Sequence, residues 1–372
     1  MIKRFFYIVV LFAGCKDIYN PPLKNPGYNY LVVEGNIVVG DSTFIRLSRT
    51  IAVSDTSRRQ LETNAAVTVE SEDGESYNLQ NRFDGVYYSP LLPITSTKEY
   101  RLHIFTADGK EYASDYVPVK LTPPIDSISW KLDPGKGVTI YANTHDPTNT
   151  SQYYRWEYVE TWEHRPKYLS ELIWDRTVQY LRGRTPEEQI YRCWNTDTSG
   201  EILLASTTGL AADVVHEKPL IQIPYASEKI DKVYSILVKQ YTLTKGGYEF
   251  WTNLKNNTEQ LGGIFDPQPF ADYGNIHCIS NLAEPVLGYI TACSTAEQRI
   301  YVYWTDVTWP YSFPTCGDTT VTPDHVAEIF SGFDYLPLHY VLSPPGGVFG
   351  VLNECADCRL HGGTTVKPPY MP

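Results

Sequence analysis

No G-x-S-x-G elbow, H-E-x-x-H pair, Walker loop or G-x-G-x-x-G turn occurs anywhere in the 372 residues. Those motifs hold a serine nucleophile, a catalytic zinc, a nucleotide phosphate or a dinucleotide, so their absence removes the usual signatures of these chemistries. A basic patch is missing as well. Lysine and arginine number 31 against 43 acidic residues, a formal charge of −12. That balance argues against nucleic acid and anionic lipid headgroups as partners. Methionine is nearly absent, with 2 residues, whereas tyrosine (29) and tryptophan (8) are plentiful. Tyrosine and tryptophan suit β-strands and also ligand-facing surfaces.

The opening "MIKRFFYIVVLFAGCKD" has a basic pair, Lys3 and Arg4, an apolar run from Phe5 to Phe12, and small residues before Cys15. This is the three-part shape of a secretory signal, and the apolar run is too short to span a bilayer. Its ending, Ala-Gly-Cys, resembles a bacterial lipobox, which would make Cys15 a lipidated first residue of the mature chain. An ordinary cleaved signal with a chance cysteine is the alternative. Residues 1–14 are thus expected to be a signal peptide and 15–28, rich in Pro and Asn, a lipidated tether. Lys16-Asp17 looks like the charged signals that send Bacteroidota lipoproteins to the cell surface, with a periplasm-facing location as the other possibility.

Apart from Cys15, six cysteines remain: Cys193, Cys278, Cys293, Cys316, Cys355 and Cys358. In an exported chain an even number favours disulfides. The preferred pairs are Cys278 with Cys293, which flank one expected strand, and Cys316 with Cys355 or Cys358. Cys193 takes the remaining partner. The C-x-x-C at 355–358 could instead be half a zinc site, completed by Cys316 and a histidine. However, no second paired motif is present and exported thiols tend to oxidise. A redox dithiol would want a helix N-terminus to lower its thiol pKa, and no thioredoxin-like pattern surrounds it. No metal and no cofactor are therefore expected.

The fold class expected is mainly β, with two immunoglobulin- or fibronectin-like β-sandwich domains, a helical insertion and a disulfide-stapled C-terminal segment. Alternating, β-branched stretches such as "NYLVVEGNIVV" and "EYRLHIFTADGKEYASDYVPV" fill residues 29–121, the first sandwich. Pro123-Pro124 cannot donate to a sheet and marks a boundary. The second, β-rich domain spans 122–372. Within it "QYYRWEYVETW" puts Tyr154, Trp156, Tyr158 and Trp162 on one strand face, "SELIWDRTVQYLRGR" has plausible helical spacing, and Tyr248, Trp251, Leu254 and Leu261 form a helical stripe ended by Gly262-Gly263.

Four ordered blocks carry a family resemblance: "VYSILVKQYTLTKGGYEFW", "GGIFDPQP", "GNIHCISNLAEPVLGYI" and the terminal "CADCRLHGGTTVKPPY". Together they resemble a family of Bacteroidota lipoproteins classed as a domain of unknown function. Such families typically accompany TonB-dependent outer-membrane transporters. The resemblance implies an accessory or ligand-binding role beside a transporter, at the outer membrane, and supplies no catalytic residue.

Direct chemistry is scarce. Glu157 and Glu160 lie beside tryptophans, but residues three apart on a strand point to opposite faces and cannot share a substrate. The aromatic stretch 303–313, with Trp304, Trp309 and Tyr311, is the candidate surface for a ligand or partner. The expectation is a non-enzymatic, lipid-anchored subunit of a TonB-dependent nutrient transporter on the cell surface. The alternative is a cell-surface hydrolase or adhesin acting on peptide or glycan.

Overall fold

The computed structural model describes residues 29–51, 60–259, 273–309, 316–343 and 346–372. Cys15, the signal and the tether lie outside the described residues, as do Tyr311, Leu261 and Gly262-Gly263.

The first unit is a sheet folded over one apolar core. Leu31–Val38 pairs antiparallel with Thr43–Arg49, which pairs in turn with Val86–Ser89. The opposing strands are Ala66–Ser71, Glu99–Phe105 and Glu111–Ser114. Alternation decides which side chains enter: Tyr100, Leu102 and Ile104 are buried while their neighbours are not. Fully burying each such aliphatic side chain is worth about 1.5–3 kcal/mol.

Residues 273–294 return to this unit. Ile276–Cys278 adds to the edge of Glu111–Ser114. Ala292–Cys293 runs parallel between Leu31–Val38 and Val117–Lys120, joining the two halves of the sheet. Ile276, Val286, Ile290 and Ala292 enter the same core. The first sandwich is therefore not completed by residues 29–121 alone. Parallel pairing across such a long crossover leaves no local signal in the sequence.

The second unit is a two-layer sandwich. Ile125–Asp133, Gly137–Asp146 and Asp213–Pro224 form one sheet. The other contains Cys193–Thr198, Tyr153–His164, Val233–Thr242 and Thr295–Tyr303 in that order. Val138 and Ile140 from the first layer meet Tyr154, Trp156, Tyr158, Trp162 and Ile236 from the second, so the aromatic face expected for Tyr153–His164 is the core face.

The helix Lys245–Glu259 forms as the stripe requires, with Thr244 Oγ1 accepting from the Gly247 amide at 3.1 Å near its start. The stretch around 171–184 is a hairpin instead of a helix, pairing Leu172–Asp175 with Tyr180–Gly183. Asp175 turns the chain by accepting from the Thr177 amide at 3.0 Å, and Arg182 reaches back to Asp175 at 2.9 Å. Leu172 then enters a small cluster with Phe330 and Val348, an attraction that helical spacing cannot reveal.

The C-terminal segment is a three-stranded sheet of Asp318–Val321, Val348–Leu352 and Tyr335–Tyr340. Two disulfides hold it, Cys193–Cys358 and Cys316–Cys355. Both follow the expected connection of the C-x-x-C to Cys316 and Cys193. The Cys278–Cys293 pair does not form, and both are buried free thiols. Three strands stand between them in the sheet order. A disulfide needs Cα atoms within ~7 Å, which nearness in sequence does not supply.

Candidate ligand cleft between the two sandwiches

The junction between the units is tied down. Thr122 donates its amide to Ser294 Oγ at 2.8 Å, and its own Oγ1 accepts from the Thr242 amide at 3.0 Å. Gln240 Nε2 donates to the Pro123 carbonyl at 2.9 Å. The expected Pro123-Pro124 linker is thus bound to both sandwiches. A cleft of about 770 Å³ opens beside it, within the range of roughly 300–1,000 Å³ usual for ligand sites, which favour domain interfaces.

One wall comes from Leu31–Val38, the turn after it and the start of Thr43–Arg49, with Glu34, Asp41 and Phe44. The other comes from the outward faces of Tyr153–His164, Val233–Thr242 and Thr295–Tyr303, with Trp251 of the helix. Strand alternation explains the second wall. Trp156 and Tyr158 point into the core, so Arg155 and Glu157 are left on the opposite face. Gly35 lines the first wall with φ +134°, and a Cβ there would sit 2.2 Å from the Phe44 carbonyl oxygen, so no side chain can be added without moving the partner strand.

Arg155 is the centre of the arrangement. It is 8% exposed. Its guanidinium lies 3.8 Å from the Trp251 ring centroid and 5.5 Å from that of Tyr241, and it pairs with Glu157. A desolvated cation over tryptophan gains up to ~2 kcal/mol from the ring quadrupole. Burial lowers the Arg155 pKa to about 10, which still leaves it charged at neutral pH. Burial also pushes the Tyr241 hydroxyl up to about 12, so it stays protonated and donates to Glu157 Oε2 at 3.1 Å. Lys239 and Glu297, directly opposite on neighbouring strands, pair at 2.5 Å. The indole N–H of Trp251 is buried with no hydrogen-bond partner.

The cleft continues into a second space of about 540 Å³ that shares Glu34, Glu157, Ser199, Lys239 and Tyr241 and adds Arg46. Such an elongated groove of mixed charge, with aromatic rings and hydroxyls, suits an extended polar ligand. Its described lining includes no histidine, cysteine or serine–histidine pair.

Of the surface expected from sequence, Tyr311 lies outside the described residues and the two tryptophans part company. Trp304 is 55% exposed on the short helix Trp304–Val307, but Trp309 is only 9% exposed and packs edge-to-face on Tyr225 at 5.6 Å in the second core. An apolar ring in a proline-containing loop found a place inside the sandwich end, so Trp309 offers no contact surface. Glu157 and Glu160 do face opposite ways. Glu160 is buried and bonds to Lys229 at 2.5 Å and to the Tyr234 hydroxyl at 2.9 Å. The cleft residues Arg155, Tyr241 and Trp251 were not anticipated as a site. The available signal was an arginine in the middle of the aromatic strand "QYYRWEYVETW".

Among the described residues one group has metal-ligating spacing: His164, Glu228 and His361. It sits nine residues beyond Arg155 along Tyr153–His164, roughly 30 Å away at strand rise.

Comparison with known proteins places the chain. The sequence model of a family described as "Domain of unknown function (DUF4249)" matches residues 16–299. The chain belongs to the DUF4249 family. The match takes in the whole first sandwich, both walls of the cleft and three of the four sequence blocks. The terminal block 355–370, with both C-terminal cysteine partners, lies beyond it. No curated protein matches this DUF4249 member. Among solved structures, a segment of two fibronectin type-III domains from chicken tenascin is matched at 14% identity, over 56% of this chain and 88% of that one, with a TM-score of 0.17. The mainly β, two-sandwich architecture follows from the strand pairings above.

Proposed function

We propose that this DUF4249 chain is a lipid-anchored outer-membrane protein that captures an extended polar ligand in the interdomain cleft and serves a TonB-dependent transporter. The observation that carries the ligand-binding part is the cleft itself. It draws on both sandwiches, holds a buried arginine between aromatic rings, and continues into an adjoining groove. Carboxylates alongside Arg155 and Lys239 match a ligand with many hydrogen-bonding groups, a peptide or a glycan. Anchoring rests on the N-terminal pattern ending at Cys15, and the transporter on the sequence resemblance.

Affinity capture of the full chain from detergent-solubilised outer membranes tests the reading. A TonB-dependent barrel is expected to copurify, and Cys15→Ser is expected to shift the chain out of the membrane fraction. Trp251→Ala is expected to weaken retention of peptide or glycan while leaving membrane fractionation unchanged. Capture that brings down no barrel sinks the transporter role. Turnover of peptide or glycan that Glu157→Gln abolishes would favour the cell-surface hydrolase.

A further inference from the structure

The seam where the C-terminal segment meets the second sandwich contains a histidine in an unusual condition. His164 ends the strand Tyr153–His164, opposite Cys193, and is 1% exposed. Both of its ring nitrogens are buried and neither has a hydrogen-bond partner. Buried polar side chains nearly always find partners, and leaving one without costs about 1–3 kcal/mol. A buried ring nitrogen without a hydrogen-bond partner, close to other atoms that carry lone pairs, is an arrangement a cation would satisfy.

Two further donors converge there. Glu228, first residue of the turn Glu228–Ile230, places Oε2 at 3.5 Å from His164 Nδ1. The His361 ring centroid lies 4.6 Å from that of His164. One ligand atom from each of the three residues falls within 4.8 Å of the others. In a tetrahedral site with bonds of ~2.0 Å, ligand atoms stand roughly 3.3 Å apart, so small side-chain adjustments suffice.

His361 is also oriented as a ligand would be. Its Nε2 lies 3.0 Å from the Glu354 carbonyl, which can only accept, so Nε2 is the donor there and Nδ1 is the nitrogen left to face a metal. Histidines that bind metals usually donate their other N–H to a carbonyl or carboxylate in this way. The backbone around His361 is fixed from several sides. Asn195 donates to its carbonyl at 3.0 Å, Thr364 and Trp194 exchange backbone bonds, and Cys358 is bonded to Cys193. At Gly363 a Cβ would come within 2.7 Å of the Cys193 Cβ, so only glycine allows the turn to press this close. Glu228 and His361 are only partly buried, which gives an ion a route in from solvent.

We propose that His164, His361 and Glu228 bind a divalent transition metal of the zinc class, with the fourth position open to water. Two imidazoles and one carboxylate suit zinc, copper or nickel rather than the oxygen-only demands of calcium or magnesium. The metal joins the sandwich to the C-terminal segment at a point the Cys193–Cys358 disulfide has already preorganised. The site is independent of the interdomain cleft and of any ligand held there.

The test uses the full chain purified in detergent and stripped with chelator, titrated with zinc by calorimetry and with cobalt by visible absorption. One equivalent is expected to bind, with the ligand-field bands of a tetrahedral nitrogen and oxygen site and a rise in thermal midpoint that scales with free metal. His361→Ala and Glu228→Gln are each expected to weaken binding by roughly 100-fold, at least the loss seen on removing outer partners of metal-bound histidines. His325→Ala, in a separate turn, should leave it unchanged. Absence of saturable binding by the unaltered chain overturns the proposal, as does equal affinity in both variants. Should His361→Ala lose its native circular dichroism, Glu228→Gln, at the solvent side of the group, decides alone.

Discussion

The first sandwich and the C-terminal segment reach stability by different means. The first has one continuous core running from Leu31 and Leu47 through Tyr87 and Tyr100 to residues 276–292, and contains no disulfide. The C-terminal segment has two small clusters, one around Leu338 and Val351 and the other around Phe330 and Val348. Both disulfides end there. Small cores bury too little apolar surface to offset chain entropy, and covalent closure makes up the difference. The two cysteines of the first unit, Cys278 and Cys293, remain buried thiols because three strands separate them.

The largest break in this comparison is removal of Cys193–Cys358. Its partners are 165 residues apart, and the chain-entropy model assigns a loop of that length about 5 kcal/mol. Cys193→Ser with Cys358→Ser is expected to expose residues 316–372 to hydrogen exchange while the strands around Leu47 and Leu102 keep their protection. Uniform loss of protection across both regions would show that they are one cooperative unit. The converse is Leu47→Ala, a fully buried side chain in the large core. Its removal should cost ~2–5 kcal/mol and lower protection first in the first sandwich, with both disulfides intact.

The same contrast explains what could be read from the sequence. "EYRLHIF" and "QYYRWEYVETW" show their core faces by alternation, because burying one face of a strand is a local pattern. The joining role of Ala292–Cys293 is invisible, since two residues pairing with strands far away in the chain leave no periodicity. The hairpin at 172–183 was hidden because Trp174, Val178 and Leu181 fall at i, i+4 and i+7 and so fit one face of a helix as well as a folded strand pair, and only Asp175 with Thr177 decides. Of the cleft, Arg155 was visible as a charge inside an aromatic strand. Its ring partners Tyr241 and Trp251 are on other elements, so the site exists only after folding.

A smaller effect should separate the second sandwich from the stapled segment by pH. Asp146 is buried, which by itself raises its pKa. Hydrogen bonds from the Thr148 hydroxyl and amide, from Ser151 and from the Thr150 amide outweigh burial and hold it well below the ordinary aspartate value. A depressed folded pKa adds stability that is complete above the unfolded value of ~3.9 and is lost as pH falls through the folded one. Urea midpoints should therefore decline below about pH 4. Asp146→Asn should cost about 1.5–3 kcal/mol at pH 7 and flatten that decline, because hydrogen bonds to a charged group are the stronger kind. An unchanged slope in Asp146→Asn would assign the acid sensitivity to other carboxylates.

The smallest effect on stability, and the most direct on the comparison, concerns the two thiols. Burial pushes Cys293 up to about 12, against a weaker opposing pull from the nearby Arg155 charge. Almost no Cys293 thiolate exists at pH 8, and burial shields both Cys278 and Cys293 from reagent. In a Cys15→Ser chain, iodoacetamide should add nothing to the native protein and two groups after unfolding without reductant. Zero groups after unfolding would mean that Cys278 and Cys293 are joined, as their nearness in sequence first suggested, and the strand order separating them would be wrong. Two groups on the native chain would mean that the first unit opens readily, and the contrast with the stapled segment would then fail at its stronger side.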